Sequence, residues 1–339
     1  MIRVDRAPTE LNFLRRKSLA SRPLQGYMDT HQENQRRPGE NMPQKPMKDP
    51  DDLKKKLEAL SVAVPAISFL FSTLIGFNMG QLATLGIKPF SRKGFRKLNR
   101  WGADTWWGWC ASMAKAIHGS RIHVTGDDLP MRENVVCFSN HQQMADIPFL
   151  MMLARSKDRL GDMKWIVKKG LKHVPGVGWG MSFLDCVYVD RNWTSDEEHI
   201  MKTFAVLREE KVPVWLMIFP EGTRIKPQKI KASQEYALKR GLFKPRHVLL
   251  PRTKGFAAAV QGLRGHITAV YDVTIGYPDG VPTLWQYIQG FSTEAHLHVR
   301  RFPIDSIPSS TEDLSAWLIQ RYKEKDELLD GFYKEGSFA

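Results

Sequence analysis

The chain is short of cysteine and of acidic residues. Its three cysteines, Cys110, Cys137 and Cys186, lie far apart and form no CxxC pair. Neither a zinc site nor a disulfide framework follows from them, and a reducing compartment is compatible with them. The first twenty residues are basic but include Asp5 and Glu10 and have no apolar centre, so they are not a secretory signal. There is no GxSxG elbow and no Walker loop, which removes the serine-hydrolase and P-loop readings. The run Gly176-Val177-Gly178-Trp179-Gly180 is not a dinucleotide fingerprint, because residue 181 is Met; it reads as a structural turn. No internal repeat is visible.

What is present is positive charge. Fifty Lys and Arg against 36 Asp and Glu give a formal net charge of +14 over 339 residues. A basic surface prefers nucleic acid, anionic lipid headgroups or a phosphorylated substrate. No nucleic-acid recognition motif accompanies it, which argues against nucleic acid as the partner.

Composition divides the chain into three parts. Residues 1–50 are rich in Gln, Asn, Pro, Arg and Asp without periodicity and read as a disordered basic tail; a mitochondrial presequence stays open. Residues 51–110 read as a membrane-anchoring helical segment. Here the longest uncharged run extends from Ala59 to Ile87. A spanning helix needs about 20 apolar residues, so the run allows one tilted span, a hairpin entering one leaflet, or a buried soluble helix. Lys54, Lys55 and Lys56 precede it, and Lys88, Arg92, Lys93, Arg96, Lys97 and Arg100 follow it. Trp101, Trp106, Trp107 and Trp109 come next, as befits the headgroup layer. Positions 106, 107 and 109 do not share one helical face, so at least one should be exposed.

Residues 111–339 read as the catalytic domain. Short β-branched runs alternate with helical stretches. Candidate strands are Ile122–Val124, Asn134–Ser139, Lys164–Val167, Val187–Val189, Val214–Phe219, Val248–Pro251, Ile267–Ile275 and His296–Val299. Helices are expected over Asp196–Glu209, Ser233–Lys239 and Thr311–Tyr333. This alternation predicts an α/β fold with a largely parallel central sheet flanked by helices.

Two polar blocks follow predicted strands. Asn140-His141-Gln142-Gln143-Met144-Ala145-Asp146 puts a histidine at a strand end, with a carboxylate that can reach it if the chain turns into a helix. Phe219-Pro220-Glu221-Gly222-Thr223-Arg224 adds a carboxylate, a glycine, a hydroxyl and a guanidinium suited to phosphate. Taken alone, the first could be chance among ten histidines and the second a polar turn.

Together the two blocks resemble the first and third signature blocks of the glycerophospholipid acyltransferase family. Leu249-Leu250-Pro251-Arg252-Thr253-Lys254-Gly255-Phe256 resembles the fourth. Gly180 to Phe183 and Tyr188 to Arg191 resemble the second, approached through Lys168, Leu171 and Pro175. The resemblance spans about residues 90 to 335. LLPRTKGF, YDVTIGY and WLIQRYKEKDELL look like the eukaryotic branch, which holds 1-acylglycerol-3-phosphate, lysocardiolipin and fungal lysophosphatidylinositol acyltransferases. Gln142 stands where the family often has Ser, and is read as a branch mark.

The resemblance implies a membrane enzyme, of the endoplasmic reticulum or alternatively of mitochondria. It would move an acyl group from acyl-CoA, as co-substrate, onto a lysophospholipid, with no metal and no other cofactor. His141 would be the general base and Asp146 its orienting partner. Glu221, Gly222, Thr223 and Arg224 would bind the acceptor. Arg191 would be a second phosphate contact, and Pro251 would shape the acyl or acceptor site.

Overall fold

The computed structural model describes residues 45–190 and 193–338. The predicted N-terminal tail therefore falls almost wholly outside the described residues. The first element is a single helix, α1 (Leu53–Thr84), with Pro65 inside it. A tight turn leads to α2 (Arg92–His118). The sheet domain then runs β1 (Arg121–Gly126), β2 (Val135–Ser139), α3 (Asp146–Ser156), β3 (Met163–Lys168), α4 (Val177–Ser182), β4 (Val187–Val189) and α5 (Trp193–Glu209). It continues with β5 (Trp215–Ile218), α6 (Pro227–Arg240), α7 (Thr253–Leu263), β6 (Ala269–Gly276), α8 (Leu284–Ile288), β7 (Glu294–Pro303) and α9 (Thr311–Glu335).

Among the described residues the strands form one sheet in the order β1-β7-β6-β2-β5-β3-β4. Every neighbouring pair is parallel except β6 with β7. Side chains alternate across a strand, so β2 feeds two cores. Val136 and Phe138 pack with Phe204 of α5, Val260 of α7 and Leu318 of α9. Val135 and Cys137 pack with Phe149 and Leu153 of α3. Burial on both faces accounts for β2 and β5 reading as continuous apolar runs.

The expected strand at Val248–Pro251 is not a strand. Its backbone donors are met by side chains: Val248 N–H reaches Asp326 Oδ1 at 3.1 Å, Leu249 N–H reaches Glu221 Oε2 at 3.3 Å, and Leu250 N–H reaches Ser233 Oγ at 2.9 Å. A segment satisfied in this way has no need of a ladder partner. Of the three adjacent tryptophans, none is exposed; Trp101 is, at 67%. Helix α1 covers Trp106 and Trp109, through Phe77 stacked on Trp106 at 5.8 Å and Phe69 edge-on to Trp109 at 5.0 Å. Trp107 packs on the α3 side of the sheet instead.

Helix α1 is long and apolar enough to cross a membrane, by length and composition. Its second half is seated on the glycine-rich run expected as a turn, which instead forms α4 from Val177 onward. Gln81 donates to the Gly180 carbonyl at 3.2 Å, and a side chain at Gly176, where φ is +79°, would collide with Leu74. Phe71, Ile75 and Met79 recur every fourth residue and stay exposed, at 59%, 52% and 63%.

Lys325 of α9 is wholly buried under the sheet. It donates to Asp272 Oδ1 at 2.5 Å, to the Val273 carbonyl at 2.7 Å and to Thr274 Oγ1 at 3.0 Å. Burial pulls its pKa down, and Asp272 acts against that. Removing one partner of a buried ion pair strands the other's charge.

Two outcomes follow. Lys325→Ala should cost about 3–5 kcal/mol in denaturant unfolding, towards the lower end because Arg300 also pairs with Asp272 at 2.5 Å; a loss below about 1 kcal/mol would mean the pair acts as a surface one. Replacing Phe71, Ile75 and Met79 together by Asp should move the chain from the membrane pellet to the soluble fraction without altering its thermal unfolding. Undiminished sedimentation would show that other segments hold it to the membrane.

Candidate active site

The two polar blocks are neighbours because β2 and β5 are neighbouring parallel strands. Both blocks leave at the carboxyl ends, on the same side of the sheet. Their backbones then join: Ile225 N–H donates to the His141 carbonyl at 2.9 Å. The chain after His141 turns so that Asp146 opens α3. A carboxylate is favoured there by the helix dipole, and Pro148 is tolerated because a first-turn N–H needs no helical partner.

Asp146 is fully buried and completely engaged. Its Oδ2 lies 2.8 Å from His141 Nδ1 and accepts N–H groups from Gln142 at 2.7 Å and Gln143 at 3.0 Å. Its Oδ1 accepts the Tyr277 hydroxyl at 2.8 Å. A carboxylate has only acceptors to offer, so Nδ1 carries the proton in this pair. Nε2 is then the nitrogen left with a free lone pair. The imidazole is pinned in plane by Phe219, stacked at 4.0 Å and 16°, with Trp165 behind it.

His141 lines a cavity of about 1070 Å³. Much of the wall is apolar, including Met144, Ile147, Met151, Met163 and Trp165, and Leu74 and Phe77 of α1 also contribute. Lys168, Arg224, Arg252 and Lys254 line it too, and among the described residues none of them has a carboxylate partner. The acid on the wall, Asp196, is occupied by the Asp190 N–H at 2.9 Å. The cavity therefore pairs an apolar volume with an excess of positive charge, four cationic side chains to one carboxylate among the described residues on its wall.

Gly222, Thr223 and Arg224 line this cavity. Gly222 sits at φ +67°, a left-handed conformation suited to glycine. Arg224 is braced by Gln143, whose Oε1 accepts its Nη1 at 2.7 Å. Glu221 is placed differently from the acceptor-binding expectation. It is 3% exposed and off the cavity wall, and its two oxygens accept the N–H groups of His141 at 3.0 Å and Leu249 at 3.3 Å. Burial drives its pKa well above the ordinary value, against the pull of those two N–H groups. Glu221 thus fastens three loops together. Pro251 is half-buried beside the cavity and not on its wall. Arg191 lies outside the described residues.

Gln142 is buried and turned from the cavity, donating to the Ile275 carbonyl at 2.6 Å and to Tyr333 at 3.3 Å. It ties the end of β6 to α9, a structural reason for an amide at this position. Tyr277 was not singled out from sequence. It lies 131 positions from Asp146, just past β6, and its hydroxyl has no signature beyond the YDVTIGY run. Burial, then the charge of Asp146, hold its phenol well above the ordinary pKa, so it stays a donor.

The chain is similar to known acyltransferases. The acyltransferase family model matches residues 121–277, and an acyltransferase C-terminus model matches residues 286–339. A probable 1-acyl-sn-glycerol-3-phosphate acyltransferase of Arabidopsis thaliana is 31% identical over 294 residues, covering 86% of this chain and 78% of the relative. The chain belongs to the acyltransferase family. Lysocardiolipin acyltransferase 1 of Mus musculus is 34% identical over 286 residues, covering 80% of this chain and 75% of its own. Among acyltransferases of known structure, the 1-acyl-sn-glycerophosphate acyltransferase PlsC of Thermotoga maritima shares the fold, with a TM-score of 0.50 at 19% identity, over 81% of this chain and 98% of that one.

A hydrogen bond to a charged group is worth about 1.5–3 kcal/mol. Tyr277→Phe should therefore lower kcat by about tenfold or more while KM stays within about twofold, because Tyr277 touches Asp146 and not the cavity. An unchanged kcat would reduce Tyr277 to packing.

Proposed function

We propose that the protein transfers an acyl group from acyl-CoA to the free hydroxyl of a lysophospholipid, with 1-acyl-sn-glycerol-3-phosphate the first acceptor and phosphatidic acid the product. The observation that carries this reading is His141, paired with the buried Asp146 behind it, on the wall of a largely apolar cavity that Arg224 also lines. His141 Nε2 takes the acceptor's hydroxyl proton as the oxygen attacks the thioester carbonyl. The carbon–sulfur bond then breaks, and the imidazolium returns the proton to the leaving thiolate. Asp146 keeps the ring in the required tautomer and stabilises its charged form. No acyl-enzyme is needed, because the thioester is already activated.

General-base assistance is typically worth about 10²–10⁴ in rate, and orientation of the two substrates supplies much of the rest. The apolar wall suits an acyl chain. Arg224, held by Gln143, suits the acceptor phosphate through a bidentate fork. Membrane association is supported by α1. A second reading, acylation of lysocardiolipin in phospholipid remodelling, is favoured by the 34% identity to the mouse lysocardiolipin acyltransferase.

The test is transfer from labelled oleoyl-CoA to a panel of lysophospholipids by the purified chain in detergent. His141→Ala should reduce turnover to background while thermal unfolding is unchanged; substantial residual turnover would remove His141 as the base. Arg224→Ala should raise KM for the phosphorylated acceptor more than for acyl-CoA. An effect confined to acyl-CoA would move Arg224 to the donor side. Failure of the folded wild type to acylate any acceptor would favour a lipid-binding protein on this fold.

A further inference from the structure

The edge of the sheet carries a side-chain cluster with no part in the chemistry above. β1 is the edge strand and runs parallel to β7, with Arg121 opposite Glu294 and His123 opposite His296. Residues two apart on a strand share a face, so these four side chains stand together. His123 Nε2 is 3.4 Å from Glu294 Oε2, and His296 Nε2 is 3.8 Å from Glu294 Oε1. The two imidazoles stack at 4.6 Å and 27°. One ligand atom from each of the three residues lies within 4.8 Å of the others. A tetrahedral zinc ion, bound at about 2.0–2.1 Å, separates its ligands by about 3.3–3.5 Å. The His123–Glu294 separation already matches that spacing, and the His296 separation, to the other oxygen of Glu294, is somewhat wider.

We propose that His123, His296 and Glu294 form a binding site for a divalent transition-metal ion of the zinc type. Two imidazoles and a carboxylate are a donor set that zinc accepts, with the fourth position left to water. His296 is held in place by Phe332, whose ring lies 5.4 Å away. His123 is the more exposed ligand.

The site already accommodates a cation. Arg121 donates its Nε to Glu294 Oε2 at 3.0 Å and to His123 Nε2 at 3.3 Å, and its Nη2 to Glu294 Oε2 at 2.6 Å. These are the atoms an ion would use, so guanidinium and metal exclude one another. The Arg121 side chain is 63% exposed and can leave towards solvent. A bound ion would pin the edge strand that follows α2 to β7. β1 stands three strand spacings from β2, about 15 Å, so the ion would be a staple and not a reagent at His141.

The test is zinc titration of the chelator-stripped, full-length chain in detergent by calorimetry, beside His123→Gln, His296→Gln and Arg121→Gln. The wild type should take up one Zn²⁺ per chain, with thermal unfolding raised by about 2–5 °C at saturation. Each histidine variant should bind at least about tenfold more weakly, since even outer-shell partners are worth that much. Arg121→Gln should bind more tightly than the wild type. His123 is exposed, so metal-free His123→Gln should unfold like the wild type, which separates lost ligation from a damaged fold. Equal affinity in the wild type and both histidine variants would overturn the site. So would absence of uptake by the wild type, whatever Arg121→Gln does.

Discussion

The structure is organised around one buried anion. Asp146 is removed from water and holds its charge through His141, Tyr277 and the N–H groups of Gln142 and Gln143. An unpaired carboxylate at that depth would be prohibitively costly, so each of these groups is constrained to its place. That requirement shapes the turn after β2, starts α3, orients the histidine and draws in the end of β6. Glu221 makes the same kind of backbone contact one loop away, its carboxyl oxygens accepting the N–H groups of His141 and Leu249, although burial holds its pKa well above the ordinary value. Two buried carboxyl groups thus set the backbone around the cavity, and cations outnumber acids on its wall.

Helix α9 supports this arrangement from beneath. Tyr322 donates to the Ser139 carbonyl at 3.1 Å, two residues before His141. Lys325 grips β6, and Asp326 accepts the N–H groups of His247 at 2.6 Å and Val248 at 3.1 Å, just before the Leu249–Phe256 block. The C-terminal helix therefore reaches the polar blocks through the backbone and leaves the cavity wall to others.

Much of the fold was legible because its signals are local. Seven candidate strands match β1 to β7 within a few residues; burial on both faces leaves continuous apolar runs in β2, β5 and β6, and β7 alternates between buried and half-buried residues. Val248–Pro251 carries the same apolar pattern. Its pairing, however, is decided by Asp326, Glu221 and Ser233, which lie far away in sequence. The tryptophans misled for the same reason, because α1 supplies a second surface that helical periodicity in α2 cannot reveal. At the site, the motif blocks exposed His141, Asp146 and Arg224 by residue type and spacing. They did not separate Glu221, which fastens loops, from Gly222 to Arg224, which line the cavity. Tyr277 showed only as the last residue of the YDVTIGY run, with nothing to mark its hydroxyl, because a single phenol meets its partner only in the folded chain.

The central claim is that the charge of Asp146, and not merely its shape, makes His141 a base. Asp146→Asn isolates that charge. The amide oxygen can keep the three N–H donors, and the Tyr277 hydroxyl can turn to accept from the amide nitrogen. Steady-state acyl transfer by the purified variant should show kcat lowered by about 10²–10⁴, with KM and thermal unfolding nearly unchanged. A kcat within a few-fold of the wild type would contradict the account and leave His141 to act, if at all, without its carboxylate.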